Sequence, residues 1–293
     1  MAKSTNTVSV GDGVVLHYET IGQPSPSRPS LIFHHYYGGS PATFKHVLSQ
    51  PGIEPFHKVF YHARGWFPST GPPELDAYGI AALSSDLSAI ISDIGLANHE
   101  AGFILVGHSM GGKVAQHYAA TNASPALKGL ILVAPAPLAG VDFLPDAKAQ
   151  QRAAYQSADG VRFVLDNVLT AGPETLGSEI VDQCVQDSMR GNEAATAAWP
   201  DYASAENYGD LEEKIQAPVL VLRGDKDFER DLVGESGAKL GWAQKTVEDC
   251  GHLIPLEKPE YLADEILQFI QRDMGIKTSS NSSIAEGVFE GRV

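Results

Sequence analysis

The stretch ILVGHSMGGKVAQHYAA, residues 104–120, runs from an apolar segment into a serine between glycines and then into residues that favour a helix. Ser109 is the centre of the pattern G-x-S-x-G, in which a serine can act as a nucleophile. In a chain of 293 residues with 29 glycines, chance alone produces this pattern about one time in five. The surrounding sequence must therefore decide whether Ser109 is reactive.

The position of Ser109 predicts a sharp turn between a buried strand and a helix. Such a turn forces the serine into a strained backbone region, and glycines at 107 and 111 avoid side chains that would clash. The hydroxyl would then lie at a helix N-terminus, whose partial positive charge favours a developing anion. A helix-capping serine is one alternative. A phosphate-binding turn is excluded, because neither G-x-x-x-x-G-K-[ST] nor G-x-G-x-x-G is present.

Strands and helices are predicted to alternate along most of the chain. Apolar residues recur at helical spacing in two segments, 83–94 and 262–270. The alternation predicts an α/β fold with a mostly parallel sheet of eight strands covered by helices on both faces. The predicted strands lie in TVSVGDGVVLHYETIG (two strands, 7–22), SLIFHHY (30–36), KVFYHARG (58–65), GFILVGH (102–108), LKGLILVAP (127–135), APVLVLRGD (217–225) and AQKTVED (243–249).

One interval interrupts the alternation and divides the chain. Residues 138–210 contain no convincing strand pattern but three stretches with helical character, DAKAQQRAAYQSADGVRFVLDNVL, ETLGSEIVDQCVQDSM and NEAATAAW. We expect a helical cap here, over the carboxyl ends of the strands, with residues 1–137 and 211–275 forming the core. The polar, serine-rich residues 276–293 are predicted to be a disordered tail.

Composition narrows the class of partner. The net charge of −15 and the isoelectric point near 5.0 disfavour nucleic acid and anionic membrane surfaces. No signal peptide and no membrane-spanning segment is recognised, so the default expectation is a cytoplasmic protein. Cys184 and Cys250 form neither a disulfide framework nor a metal-binding pattern. A small-molecule substrate is the expected partner, and the oligomeric state is left open.

A serine nucleophile needs a base, and the base needs an orienting carboxylate. Only two of the ten histidines follow Ser109. His117 lies on the helix directly after the serine, whereas His252 stands in a Gly-His step after the last predicted strand, at the same end of the sheet as Ser109. His252 is therefore the candidate base, with a lone surface histidine as the alternative.

The orienting acid is sought at the end of the strand in APVLVLRGDKDFERD, residues 217–231. Asp227 is the candidate, Asp225 is assigned to a turn, and Asp231 is a further choice. Asp249 is close to the candidate histidine in sequence, but closeness in sequence does not aim a carboxylate at its Nδ1.

With these residues in place, the chain closely resembles the α/β-hydrolase family over residues 6–274. The resemblance rests on HHYYGGSPATF, ARGWFPST, VGHSMGG, VLVLRGDKD and GHLIPLEKPE, and the order Ser, Asp, His is that of the family. It implies Ser109 as nucleophile, His252 as general base and then acid, and Asp227 as its partner. It implies no metal and no organic cofactor.

The resemblance also implies an oxyanion hole made of the backbone N–H groups of Met110 and Tyr37. Family members usually carry His-Gly-x in the second loop, whereas the aligned residues here are His35-Tyr36-Tyr37, so tyrosine replaces glycine. The same resemblance gives Arg64 a structural role.

Substrate pocket residues are proposed from their positions: His35 and Tyr36 in the loop before Gly38-Gly39, His108 directly before the serine, and Trp199 among the aromatic residues of the cap. For each, packing within the loops or the cap is the alternative. The expected activity is hydrolysis of a small apolar ester through an acyl-enzyme. Cleavage of C–C bonds, acyl transfer to an alcohol, and a non-catalytic ligand receptor on the same fold remain alternatives. A serine at this position argues against the epoxide hydrolase and dehalogenase branches, whose nucleophile is an aspartate.

Overall fold

An eight-stranded sheet forms the centre of the molecule in a computed structural model, which describes residues 3–141, 143–228 and 233–276. The strand order is β1-β2-β4-β3-β5-β6-β7-β8. The pairs β1·β2 and β2·β4 are antiparallel, and the other neighbours are parallel. The strands are β1 (Lys3–Ser9), β2 (Val15–Ile21), β3 (Ser30–His34), β4 (Lys58–Tyr61), β5 (Phe103–His108), β6 (Leu127–Val133), β7 (Val219–Gly224) and β8 (Ala243–Val247).

Helices cover both faces of this sheet. Alternating side chains of the strands enter two apolar clusters: Leu105 packs in one and its neighbours Ile104 and Val106 in the other. The predicted α/β fold with an eight-stranded, mostly parallel sheet is therefore confirmed. The α-helices are α1 (Lys45–Leu48), α2 (Ile80–Asp93), α3 (Met110–Thr121), α4 (Pro145–Ala154), α5 (Ala158–Val164), α6 (Ser178–Ser188), α7 (Glu193–Ala198), α8 (Gly234–Lys239), α9 (Ile254–Glu257) and α10 (Pro259–Met274).

Four of these helices, α4 to α7, lie in the segment between β6 and β7, which we call the helical insertion and for which we keep the bounds 138–210. Its two stems are joined by backbone hydrogen bonds, from Val141 N–H to the Ser204 carbonyl at 2.8 Å and from Tyr208 N–H to the Leu138 carbonyl at 3.0 Å. The two segments that connect the insertion to the sheet therefore lie side by side.

The first helical stretch of the insertion, predicted as continuous, is broken. Helix α4 ends at Ala154 and α5 begins at Ala158, because the Ser157 side chain accepts the N–H of Gly160 and caps a new helix. In the described parts of the chain, no helix is long and apolar enough to cross a membrane. Of the tail predicted to be disordered, residues 277–293 lie outside the described residues.

Candidate active site

Ser109 occupies the turn between β5 and α3, with φ +54° and ψ −116°. Its carbonyl accepts the N–H groups of Gly112 at 2.8 Å and Ala136 at 3.1 Å, which hold the strained backbone in place. A side chain at Gly107 would come within 2.5 Å of the Gly111 carbonyl oxygen, so glycine is required for the strand and helix to meet. Met110 is the first residue of α3, where a backbone N–H has no partner within the helix.

His252 and Asp227 meet on the loops that follow β8 and β7. The Nδ1 of His252 lies 3.0 Å from Oδ1 and 3.1 Å from Oδ2 of Asp227, and both side chains are at most 3% exposed. With a carboxylate facing Nδ1, this nitrogen carries the proton and donates it, which leaves Nε2 as the acceptor. The pair thus has the arrangement of a base and its orienting acid.

The loop around His252 is held by Glu257, the first residue after the sequence GHLIPL. Its carboxylate accepts the backbone N–H groups of Gly251 at 3.1 Å, Leu253 at 3.2 Å and Ala171 at 2.8 Å. Ala171 belongs to the helical insertion, so Glu257 joins the His252 loop to that segment. Glu257 lies within the motif GHLIPLEKPE, but its role is not predicted from the sequence.

His108 connects the strand that carries Ser109 with the loop that carries His252. Its Nε2–H donates to the His252 carbonyl at 2.8 Å, and its ring lies between Tyr36 and His252, with centroids 5.2 Å and 5.4 Å away. Burial, aided by the neighbouring His252, lowers the pKa of His108 to about 3. His108 is therefore a neutral donor and not a second base.

The peptide between Tyr36 and Tyr37 is oriented by the core. The Tyr36 carbonyl accepts His35 Nδ1–H at 2.7 Å and the N–H of Gly39 at 2.9 Å. In a trans peptide the N–H points opposite to the carbonyl, so these bonds also fix the direction of the Tyr37 N–H. His35 Nε2 accepts the N–H of Ala63 at 3.1 Å, and burial lowers the pKa of His35 to about 4.

The parts described so far share one edge of the sheet. They follow β3, β5, β7 and β8, which run parallel, so all four loops emerge at the carboxyl ends of the strands. The family model of the alpha/beta hydrolase family matches residues 31–265, which include every one of these loops. The chain belongs to the alpha/beta hydrolase family. The predictions of the fold class and of the family are confirmed.

Named relatives are about a quarter identical to this chain over the aligned residues. Monoacylglycerol lipase abhd6-B of Xenopus laevis is 26% identical over 220 residues, covering 69% of this chain and 64% of that protein. Protein phosphatase methylesterase 1 of Candida albicans is 28% identical over 117 residues, covering 40% of this chain and 32% of that protein. The chain thus spans less than two thirds of the length of either relative.

Solved structures share the fold of this chain. A candidate aryl esterase from Burkholderia cenocepacia superposes with a TM-score of 0.80 at 22% identity, covering 93% of this chain and 100% of that chain. An esterase from Exiguobacterium antarcticum gives a TM-score of 0.76 at 18% identity, covering 92% of this chain and 100% of that chain. At these identities the likeness concerns the fold alone.

A small cavity of about 10 Å³ adjoins Met110. Of the four predicted pocket residues, Trp199 lines it, together with Trp66 and alanines of the helical insertion. His35 is engaged by the backbone at both ring nitrogens, His108 holds the His252 carbonyl, and Tyr36 packs its ring against His108. These three side chains support the loops around Ser109.

The remaining acids near the site have other partners. Asp225 accepts the N–H of Cys250 at 3.1 Å, as expected for a turn residue, and Asp249 forms an exposed ion pair with Lys226 at 2.7 Å. Asp231 lies outside the described residues.

Arg64 is held by Asp86, in agreement with a structural role.

Proposed function

We propose that the hydrolase cleaves carboxylic esters with Ser109 as the nucleophile, His252 as the base and Asp227 as the orienting acid. The observation that carries the proposal is the buried His252–Asp227 pair, joined through His108 to the turn that presents Ser109. The names of relatives and structural neighbours, which include lipases, a methylesterase and esterases, support ester chemistry.

The mechanism follows from the roles of these groups. Ser109 Oγ attacks the ester carbonyl carbon while His252 Nε2 takes its proton, and Asp227 stabilises the resulting imidazolium. The negative charge on the carbonyl oxygen is received by the N–H groups of Met110 and Tyr37. The C–O bond to the alcohol breaks, and the alcohol leaves with the proton from His252. Water, deprotonated by His252, then attacks the acyl-enzyme and releases the acid and free Ser109.

We propose further that the helical insertion is a cap and that the substrate is a small, uncharged, apolar molecule. The cavity beside Met110 is lined mainly by apolar side chains, and Arg64, its one cationic lining residue among those described, is neutralised by Asp86. A volume of about 10 Å³ holds no more than about one water molecule. This volume is too small for an ester, so binding a substrate in this cavity requires movement of the side chains or helices that line it.

A fluorophosphonate probe and a series of p-nitrophenyl esters test the proposal. We expect the wild-type protein to be labelled and to hydrolyse short-chain esters, and Ser109→Ala to lose both properties. Ser84→Ala, which removes a buried serine on α2, is the matched control and should retain both. Equal labelling of wild type and Ser109→Ala, or turnover that survives this substitution, would overturn the proposed nucleophile.

A further inference from the structure

The loop of residues 36–40, which we call the oxyanion loop, is tied to the helical insertion by hydroxyl groups. The Tyr155 hydroxyl donates to the Tyr37 carbonyl at 3.3 Å, and Ser188 Oγ donates to the Gly38 carbonyl at 2.9 Å. In the other direction, the Tyr37 hydroxyl donates to the Thr196 carbonyl at 2.6 Å. Tyr155 is 8% exposed and Ser188 is 2% exposed, so these bonds are shielded from water.

Packing at the same place matches the hydrogen bonds. Gly38 has φ +86°, and a side chain there would come within 2.4 Å of Tyr155 Cε1, so the Tyr155 ring occupies the space beside the loop. At the end of the loop, Ser40 Oγ donates to Asp187 Oδ2 at 2.7 Å. The helical insertion therefore contacts the loop at Tyr37, Gly38 and Ser40.

These contacts complete the restraint on Tyr37. The core fixes the peptide before its Cα through the Tyr36 carbonyl, and Tyr155 fixes the peptide after it through the Tyr37 carbonyl. Because the peptide is planar, the bonds to the Tyr36 carbonyl orient the Tyr37 N–H, and the Tyr155 bond to the next peptide limits rotation of the chain at the Tyr37 Cα. Loss of the Tyr155 bond would release one of the two planes.

We propose that Tyr155 and Ser188 are positioning residues, whose hydrogen bonds to the oxyanion loop keep the Tyr37 N–H, already oriented by the core, aligned with the oxyanion. The inference rests on the proposed function, because it assigns a role in the same reaction. Docking of the insertion then affects the rate of ester hydrolysis because it holds the Tyr37 N–H in place. This effect is separate from any contact between the insertion and the substrate.

The test compares Tyr155→Phe, Ser188→Ala and the double variant with Tyr202→Phe. Tyr202 is the matched control, because its hydroxyl donates to the Leu75 carbonyl at 2.8 Å and accepts the N–H of Tyr78 at 3.0 Å. It thus ties the insertion to the core without contacting the oxyanion loop. We expect kcat for p-nitrophenyl acetate to fall about tenfold or more in the double variant, with KM within about twofold, since the donor acts mainly in the transition state.

A boronic acid inhibitor provides a readout that a merely structural role would not change. Its tetrahedral adduct with Ser109 places an oxygen at the oxyanion position, so its inhibition constant should weaken in parallel with kcat/KM. Unchanged kcat in the folded double variant, or an equal loss in Tyr202→Phe, would overturn the inference while leaving the proposed function intact. If the double variant does not fold, the two single variants decide by the same criteria. Activity of the wild type that survives Ser109→Ala would instead overturn the proposed function.

Discussion

At the scale of single residues, the acid beside His252 makes the sharpest prediction. Asp227 faces Nδ1 with both carboxylate oxygens, and Asn at this position would present an amide that can favour the wrong tautomer of His252. We expect Asp227→Asn to lower kcat by about 10⁴, the loss typical of a triad that loses its acid. Steady-state hydrolysis of p-nitrophenyl acetate measures this loss.

Asp225→Asn is the matched control, because Asp225 lies two residues away and, among the described residues, accepts a turn N–H that an asparagine oxygen can also accept. It should change kcat by less than about threefold, as expected when one neutral hydrogen bond replaces a charged one. More than a tenth of wild-type activity in folded Asp227→Asn would contradict the assignment of the acid.

Residues that support the site were harder to predict than those proposed to react. Ser109, His252 and Asp227 stand at strand ends in an order that the sequence alone reveals. Glu257 accepts the N–H of Ala171, which is 86 positions away, and no local sequence pattern predicts a hydrogen bond between such distant residues. The hydrogen bond of His108 to the His252 carbonyl, across 144 positions, is equally invisible in sequence.

At the scale of elements, periodicity identified the strands because the inner ones are buried on both faces and carry continuous apolar runs. Composition predicts helices in the helical insertion, but the pattern indicates one continuous first helix. In the structure the side chain of Ser157 caps a new helix at this point. A capping serine inside a helical pattern competes with the helix it interrupts, and only the surrounding packing decides between the two.

Helix α7 and the turn after it make a prediction about substrate size. Trp199 follows α7, is 5% exposed, lines the cavity beside Met110 and stacks on Tyr37 with centroids 6.5 Å apart. Trp199→Leu should enlarge the cavity and raise the ratio of kcat/KM for butyrate over acetate p-nitrophenyl esters by about tenfold. A methylene in an apolar pocket discriminates by about 10-fold or more, which sets this expectation.

Trp242→Leu is the control for this change, because Trp242 lies between α8 and β8 and is not among the residues that line the cavity. Its chain-length profile should match that of the wild type. An unchanged profile in folded Trp199→Leu would mean that this cavity does not receive the acyl chain.

At the scale of the whole molecule, the site is assembled from loops distant in sequence and held together by neutral histidines. His35 joins the oxyanion loop to the end of β4, and His108 joins β5 to the His252 loop. Each ring donates a hydrogen bond from one nitrogen. In the neutral ring the other nitrogen carries no proton, so it is able to accept a hydrogen bond. Protonation of these rings therefore opposes folding rather than supporting it.

The stability of the fold should consequently fall in mild acid. Burial lowers the pKa of His35 to about 4, that of His108 to about 3, and that of His34 well below the ordinary 6.5. As pH falls below about 6.5, the unfolded chain binds protons that the folded chain does not, so the free energy of unfolding decreases until the folded pKa is reached. Each group contributes up to about 1.4 kcal/mol per pH unit. Asp86 and Asp187 act in the opposite sense, because burial raises their pKa values.

Urea unfolding at pH 7, 6 and 5 measures this dependence. We expect a decrease of at least about 2 kcal/mol between pH 7 and pH 5, since burial lowers the pKa of six described histidines, including His57, His62 and His117, and raises that of only three described carboxylates. His108→Gln keeps a hydrogen-bond donor but cannot titrate, so its slope against pH should be shallower by up to about 1.4 kcal/mol per unit. A free energy of unfolding that is constant from pH 7 to pH 5 would show that these buried rings bind protons in the folded protein as readily as in the unfolded chain. The neutral hydrogen bonds assigned to His35 and His108 would then be wrong, because a doubly protonated ring has no nitrogen with which to accept the N–H of Ala63.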